Sequence, residues 1–207
     1  MPPLFSTAYL PSVLYLACLS RYDTVAIELY ETFPKQTFRN RTLIATGNGL
    51  QTLSVPAVRT FGNHTRTDQM GISYTEPWHI RHWRAILSAY NAAPYFLYYR
   101  DGLEKILLHP YDRLVDLNDS LLQYLLAKFK ITCRVEHTTD FVTPAPELPD
   151  YRNALTCKHP ALPVDMPPYS QVFDTRFGFQ PNLSAIDLLF NLGPEARDYL
   201  RQLAAQL

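Results

Sequence analysis

The stretch from Leu4 to Leu29 limits the possible folds more than any other part of the chain. Leu4 to Tyr9 reads as a short strand stopped by Pro11, and a proline is tolerated in the first turn of a helix because its missing N–H has no intrahelical partner there. Val13, Leu14, Leu16, Ala17 and Leu19 then continue as an apolar helix to about Arg21. Thr24 to Leu29 follows as a second strand, nearly unbroken in hydrophobicity, the pattern of a sheet covered on both faces. Two strands joined by one helix over so short a span call for a right-handed parallel crossover.

The rest of the chain extends that α/β pattern. Thr42–Ala45 and Leu50–Val55 flank Gly47-Asn48-Gly49, a hairpin signal, and Pro56 ends the second arm because it cannot donate to a ladder. Arg59 to Asp68 reads as a polar loop and Gln69 to Tyr74 as a further strand. Thr75 can cap a helix running from Glu76 to about Asn91, and Pro94 opens another that reaches about Leu108 before His109-Pro110 breaks it. A third helix, starting at Asp112 or Arg113, carries the stripe Leu114, Leu117, Leu121, Leu122, Leu125 and Leu126 and crosses over to a strand at Ile131–Glu136. Between Phe141 and Tyr169 seven prolines exclude regular structure, while the interspersed Phe141, Tyr151 and Leu155 favour an ordered wrap over a free linker. Ser184 to Asp187 resembles a capping box, opening a helix that ends near Gly193, and a last helix runs from Pro194 to Gln206. The expectation is one α/β domain over residues 1–207: a mixed, mostly parallel sheet with a β-hairpin, helices around it, and a proline-rich cover over residues 143–168.

Charge narrows the functional classes. Lysine plus arginine equals aspartate plus glutamate, 19 each, so no basic surplus points to a duplex nucleic-acid partner. Cys18, Cys133 and Cys157 are odd in number, with no metal-ligand spacing, as in reduced thiols of a cytoplasmic protein. The apolar run from Ala8 to Leu19 lacks a basic residue before it and is interrupted by Pro11, which argues against a secretory leader. No apolar run approaches the ~20 residues of a membrane helix, and the N-x-S/T sites, Asn63, Asn118 and Asn182 among them, read as chance sequons. A dinucleotide fingerprint, a Walker-type phosphate loop and a nucleophile elbow are all absent, so no cofactor and no metal are expected.

Three segments could carry chemistry. In Glu28–Arg41, two carboxylates, three cations, two amides and three aromatic rings fall just beyond the second strand, where open α/β sheets collect ligands. Glu28 or Glu31 could bind an amine or act as base; Lys35, Arg39 and Arg41 could clamp an anion; Gln36 and Asn40 could read hydroxyls or amides. An internal ion-pair network would gather the same residue types. In the helix Trp78–Arg84, His82 is the histidine placed to serve as a base, although a core tryptophan face with His and Arg at its rim explains the same pattern. In Gln171–Asn182, Arg176 and Asn182 are the polar groups best placed to face a ligand.

Taken together, the chain resembles the WbqC-like family of bacteria. The resemblance is carried by Ala8-Tyr9-Leu10-Pro11, by Lys35 to Arg41, by Pro77-Trp78 through His82-Trp83, by Ala93-Pro94-Tyr95-Phe96, and by Phe177-Gly178-Phe179 with Pro181 to Ser184 and Gly193-Pro194-Glu195. It implies transfer of glycine or another acyl group to an amino sugar or nucleotide sugar in surface-polysaccharide synthesis, with a binding or scaffold protein as the alternative. The chain departs from the pattern in two places. Ser6-Thr7-Ala8-Tyr9-Leu10-Pro11 stands where longer relatives carry His-Gln-Pro-x-Tyr-x-Pro, and the segment Thr143–Pro168 replaces a further strand–helix region. The expected site therefore comprises Glu28, Glu31 and His82 for catalysis, with Tyr9, Tyr30, Lys35, Gln36, Arg39, Asn40, Arg41, Trp78, Arg176 and Asn182 binding a sugar nucleotide or activated acyl group. Self-association of the chain is allowed for.

Overall fold

A computed structural model describes residues 1–34, 37–155, 162 and 164–207. Strands β1 (Leu4–Ser6) and β2 (Thr24–Glu28) pair in parallel, joined by helix α1 (Val13–Leu19), as the opening of the sequence requires. Every residue of α1 is buried, so its helicity rests on packing on all sides more than on an amphipathic face. Its first turn starts two residues later than Pro11 suggests. Ser12 is the cap, accepting from the Tyr15 N–H, and Asn182 Oδ1 accepts from the Leu14 N–H at 3.0 Å. Two of the free amides at the helix start are thereby satisfied, one of them from 168 residues away.

Strands β3 (Arg41–Thr46) and β4 (Gly49–Ser54) form the expected hairpin, and β5 (Ala57–Arg59) pairs with β6 (Met70–Ile72). Neither pair joins the parallel sheet. The architecture is mixed α/β, as expected, but the antiparallel pairs are separate from a three-stranded sheet ordered β1-β2-β7, where β7 is Arg134–His137. Helices α2 (Trp78–Tyr90), α3 (Phe96–Leu108) and α4 (Leu114–Phe129) lie between β6 and β7. Thr75 does not cap α2; Pro77 holds that position, with no side-chain cap. Along α4, all six leucines of the predicted stripe are buried.

Residues 142–155 run without regular structure beside the sheet. The Leu4 N–H donates to Pro149 O, the Tyr151 N–H donates to Leu4 O, and Asp150 makes a parallel bridge to Leu4, so this segment lies alongside β1. Beyond it come α5 (Asp174–Phe177), a single turn not anticipated in the sequence, then α6 (Ala185–Leu192) and α7 (Ala196–Ala204). Ser184 precedes α6 but does not close a capping box: its hydroxyl donates to Leu10 O at 3.0 Å, 174 residues away. Leu10 also accepts from the Thr42 hydroxyl at 2.7 Å. Those two hydrogen bonds hold Leu10 at φ 44°, a left-handed conformation that costs a non-glycine residue roughly 1–2 kcal/mol.

Candidate functional site

The carboxyl ends of β1, β2 and β7 face the same way, and of the residues singled out from the sequence Glu28, Tyr30, Glu31 and Arg39 gather there. At the end of β2, Glu28 is 0% exposed. Its Oε1 accepts from the Tyr30 N–H (2.8 Å) and the Thr138 hydroxyl (2.9 Å); its Oε2 accepts from the Val142 N–H (2.8 Å) and from Arg152 Nη1 (3.2 Å). Arg152, 4% exposed, also grips Asp150 through Nε and Nη2 and donates to Val142 O. With no exposed atom and donors on both oxygens, Glu28 bolts the proline-rich segment to the sheet and has no lone pair turned toward a ligand.

Glu31 and Arg39 form a second pair, Oε1 accepting from Nε at 2.7 Å and Nη2 at 2.6 Å. Burial raises the Glu31 carboxyl above its ordinary value, and Arg39 only partly offsets this. The Arg39 carbonyl accepts from Asn118 Nδ2 (2.8 Å), which also donates to Thr7 Oγ1 (3.0 Å), so α4 is clamped over the ends of β1 and β2. Asn118 Oδ1 is buried with no partner among the described residues. Asn40 is committed to the hairpin through Val55 O, and Tyr30 lies under the Arg66 guanidinium, 4.3 Å from the ring centre. Arg41 faces a different hollow of about 150 Å³, shared with Phe38 and Thr52, and its Nε has no partner among the described residues. Lys35 and Gln36 lie outside the described residues.

Tyr9, Trp78 and His82 form one buried unit on the other side of the hairpin. Tyr9 Oη lies 2.9 Å from His82 Nδ1, and Trp78 packs edge-on against both rings. Burial, with His79 beside it, pushes the His82 imidazole down to about 4, and a hydrogen bond to the Ser54 backbone offsets this only in part. His82 therefore stays neutral in the folded chain, while the unfolded chain takes up a proton below about pH 6.5. The stability it supports is complete above that pH and falls away as pH drops toward 4, by on the order of 3 kcal/mol. Urea unfolding at pH 7 and pH 4.5 should show a smaller acid loss for His82→Gln than for the parent; equal losses would locate the acid sensitivity elsewhere.

Arg176 and Asn182 are not brought to this region. Arg176 is exposed and donates to Gly47 O at the hairpin turn, and Asn182 serves α1 as described above. A cavity of about 170 Å³ does lie between that turn and α5, lined chiefly by Ala45, Leu50, Phe173 and Phe177, and it is apolar.

The structure adds residues that sequence reasoning does not single out. His137, at the end of β7, pairs through Nε2 with Asp119 Oδ2 on α4 at 3.0 Å; the two are 42% and 28% exposed. Asp119 raises the imidazole above its ordinary value against the effect of burial, Asp116 adds to the rise, and Arg113 opposes it. Nearby, Arg113 is held by Asp116 through two hydrogen bonds (2.8 and 2.6 Å) and also feels Asp68 and Asp119, while Asp68 binds Arg66 bidentately at 3.0 and 2.7 Å. A hollow of about 260 Å³ beside the end of β7 is lined by His137, Thr138, Asp140 and Val142, among others. The signal for His137 is present in the sequence: the rule that directs attention to the end of the second strand applies equally to the end of the last. Among the described residues no cluster could hold a metal ion, and no helix is long and apolar enough to cross a membrane.

These features define an α/β protein with a charged surface, mixed in sign, at the carboxyl ends of its parallel strands. The chain belongs to the WbqC-like protein family, whose sequence model matches residues 7–159 and which is associated with polysaccharide biosynthesis-related proteins. It is similar to a protein of Mycobacterium tuberculosis (strain ATCC 25618 / H37Rv) described as "Uncharacterized protein Rv1507c", 30% identical over 223 residues, covering 93% of this chain and 94% of that one. No solved structure matches.

Proposed function

We propose that this protein transfers an acyl or aminoacyl (glycyl-type) group to an amino sugar or nucleotide sugar in bacterial surface-polysaccharide biosynthesis, and that the reaction takes place over the carboxyl ends of β2 and β7. The observation that carries the reading is the half-exposed His137–Asp119 pair. Attack of an amine on an acyl carbonyl requires the amine to lose a proton, and an imidazole oriented by a carboxylate is suited to accept it. His137 would take that proton through Nδ1, the ring nitrogen not paired with Asp119, and return it to the leaving group, so that the C–N bond forms as the bond to the donor breaks. Asp119, Asp116 and Arg113 act on the imidazole, and this mixture suits a ligand with an ammonium group and a phosphate or carboxylate: Asp116 and Asp119 would receive the first charge and Arg113 the second. Lys35 and Gln36 remain candidates for the donor's anionic end. Glu28 and the Glu31–Arg39 pair are given positioning roles, because each is engaged and nearly closed to solvent, whereas the Arg113–Asp116 pair is open to it.

The test is turnover of amino-sugar acceptors with aminoacyl or acyl donors by the parent, His137→Gln and Asp119→Asn. His137→Gln should lower kcat by about 10²-fold or more with the fold retained. The rate should rise with pH through a value above the ordinary histidine range, since the neutral ring is the base and Asp119 favours the charged one. Asp119→Asn should move that limb to lower pH. A product formed equally well by His137→Gln would end the assignment. A second reading, a non-catalytic binding or scaffold protein of a glycan-synthesis system, is favoured by Leu97 and Tyr98 of α3, which are 67% and 78% exposed side by side. Trp78, by contrast, is buried and contributes nothing to such a surface.

A further inference from the structure

We infer a second anion site at the opposite, amino ends of the parallel strands, built to take a phosphoryl group. The segment before β2 supplies Ser20, Arg21 and Asp23, the segment before β7 supplies Lys130, and α7 supplies Arg197 and Arg201. Together they line a pocket of about 140 Å³. Four cations face one carboxylate there, in a chain whose formal net charge is zero. Part of this charge has other employment: Arg21 donates to the Tyr151 hydroxyl at 3.3 Å, and Arg201 lies 3.5 Å from Asp198 in a solvent-exposed pair. Lys130 and Arg197 have no ion-pair partner among the described residues.

Two local costs converge on the pocket. Lys130 ends α4 in the left-handed conformation, φ 53°, where glycine is the residue of least cost. Arg197 lies in the first turn of α7, where the helix dipole favours an anion and disfavours a cation. Neutralising the carboxyl-terminal ends of α1 and α4 would account for Arg21 and Lys130, but not for Arg197. A phosphoryl group in the pocket would account for all of them, since several cations converging on one anion give strong charge-assisted hydrogen bonds. The residues involved are separate from His137 and Asp119, so the inference does not depend on the transfer reaction.

Titration calorimetry of the full chain with pyrophosphate at low and at high salt tests it, with sedimentation against phosphatidylglycerol and phosphatidylcholine vesicles as a second arm. Pyrophosphate binding that weakens with salt supports a free phosphorylated solute. Pelleting with phosphatidylglycerol vesicles alone supports the same phosphoryl chemistry carried on a lipid. In either arm, Lys130→Gly and Arg197→Gln should each weaken binding by about tenfold or more. Neither variant should lower Tm, because each removes a local cost from the folded state. Binding in neither arm, or binding that both variants leave unchanged, overturns the inference.

Discussion

Arg152→Met should destabilise the protein by about 3–5 kcal/mol, although Arg152 stands in none of the segments that look functional in the sequence. Arg152 and Glu28 are 4% and 0% exposed, and the guanidinium serves Glu28, Asp150 and the Val142 carbonyl at once. Removing it leaves the Glu28 carboxylate buried with neutral donors alone, Tyr30 N–H, Val142 N–H and the Thr138 hydroxyl. An uncompensated buried charge is among the largest single-site penalties, because the low-dielectric interior replaces little of the lost hydration. In a chain of this length the loss corresponds to a fall in Tm of roughly 10 °C. Adding Glu28→Gln to Arg152→Met should recover part of it, since the fully buried charge is then gone and only Asp150, 20% exposed, is left without its partner. An unchanged Tm for Arg152→Met would mean that the proline-rich segment is not secured through this pair.

Gly193→Ala should cost a similar amount, about 3–5 kcal/mol, by a wholly different cause. Gly193 ends α6 at φ 53° and ψ −120°, a conformation essentially closed to residues with a side chain. A methyl group there would also stand 2.5 Å from Cγ and Cδ1 of Tyr95. The Tyr95 backbone is held beside this helix end, its N–H bonded to Phe190 O at 3.0 Å, so the ring could give way only by rotating about its own side-chain bonds. Thermal unfolding of Gly193→Ala and of Gly193→Ala with Tyr95→Ala separates the two contributions. Shortening Tyr95 should relieve the clash and leave the backbone strain. No destabilisation in the single variant would contradict the geometry of this helix end.

Local pattern was enough to place β1, α1, β2, the hairpin and the leucine stripe of α4, because each is specified by side chains a few positions apart. The capping box at Ser184 failed for the opposite reason. A hydroxyl can satisfy the amide three residues on, but the Ser184 hydroxyl is turned to donate to Leu10 O from the far end of the chain while the Asp187 N–H bonds the Ser184 carbonyl, and nothing near Ser184 announces that distant partner. Glu28 shows the same limit at the candidate site. A carboxylate just past a strand looks available in sequence, and its partner Arg152 is 124 positions away within a proline-rich stretch. Tyr9, Trp78 and His82 each stand out in the sequence, yet their burial as one unit against Ser54 of the hairpin, and with it the lowered titration of His82, depends on long-range packing. His137 was legible in principle: it needed only the predicted strand at Ile131–Glu136 to be treated as a ligand-bearing end.

The run of chain around Asp150 alongside β1 bears on how the protein is made. The neighbour of β1 on one side is β2, and on the other it is a segment synthesised about two-thirds of the way along. β2 in turn waits for β7. The first strand pair to leave the ribosome therefore emerges with both outer flanks bare, and contacts this distant in sequence form slowly because loop closure precedes any reward. During that interval an apolar two-stranded ribbon is open to association with other nascent chains, a hazard that ends only when residues beyond 150 have been added.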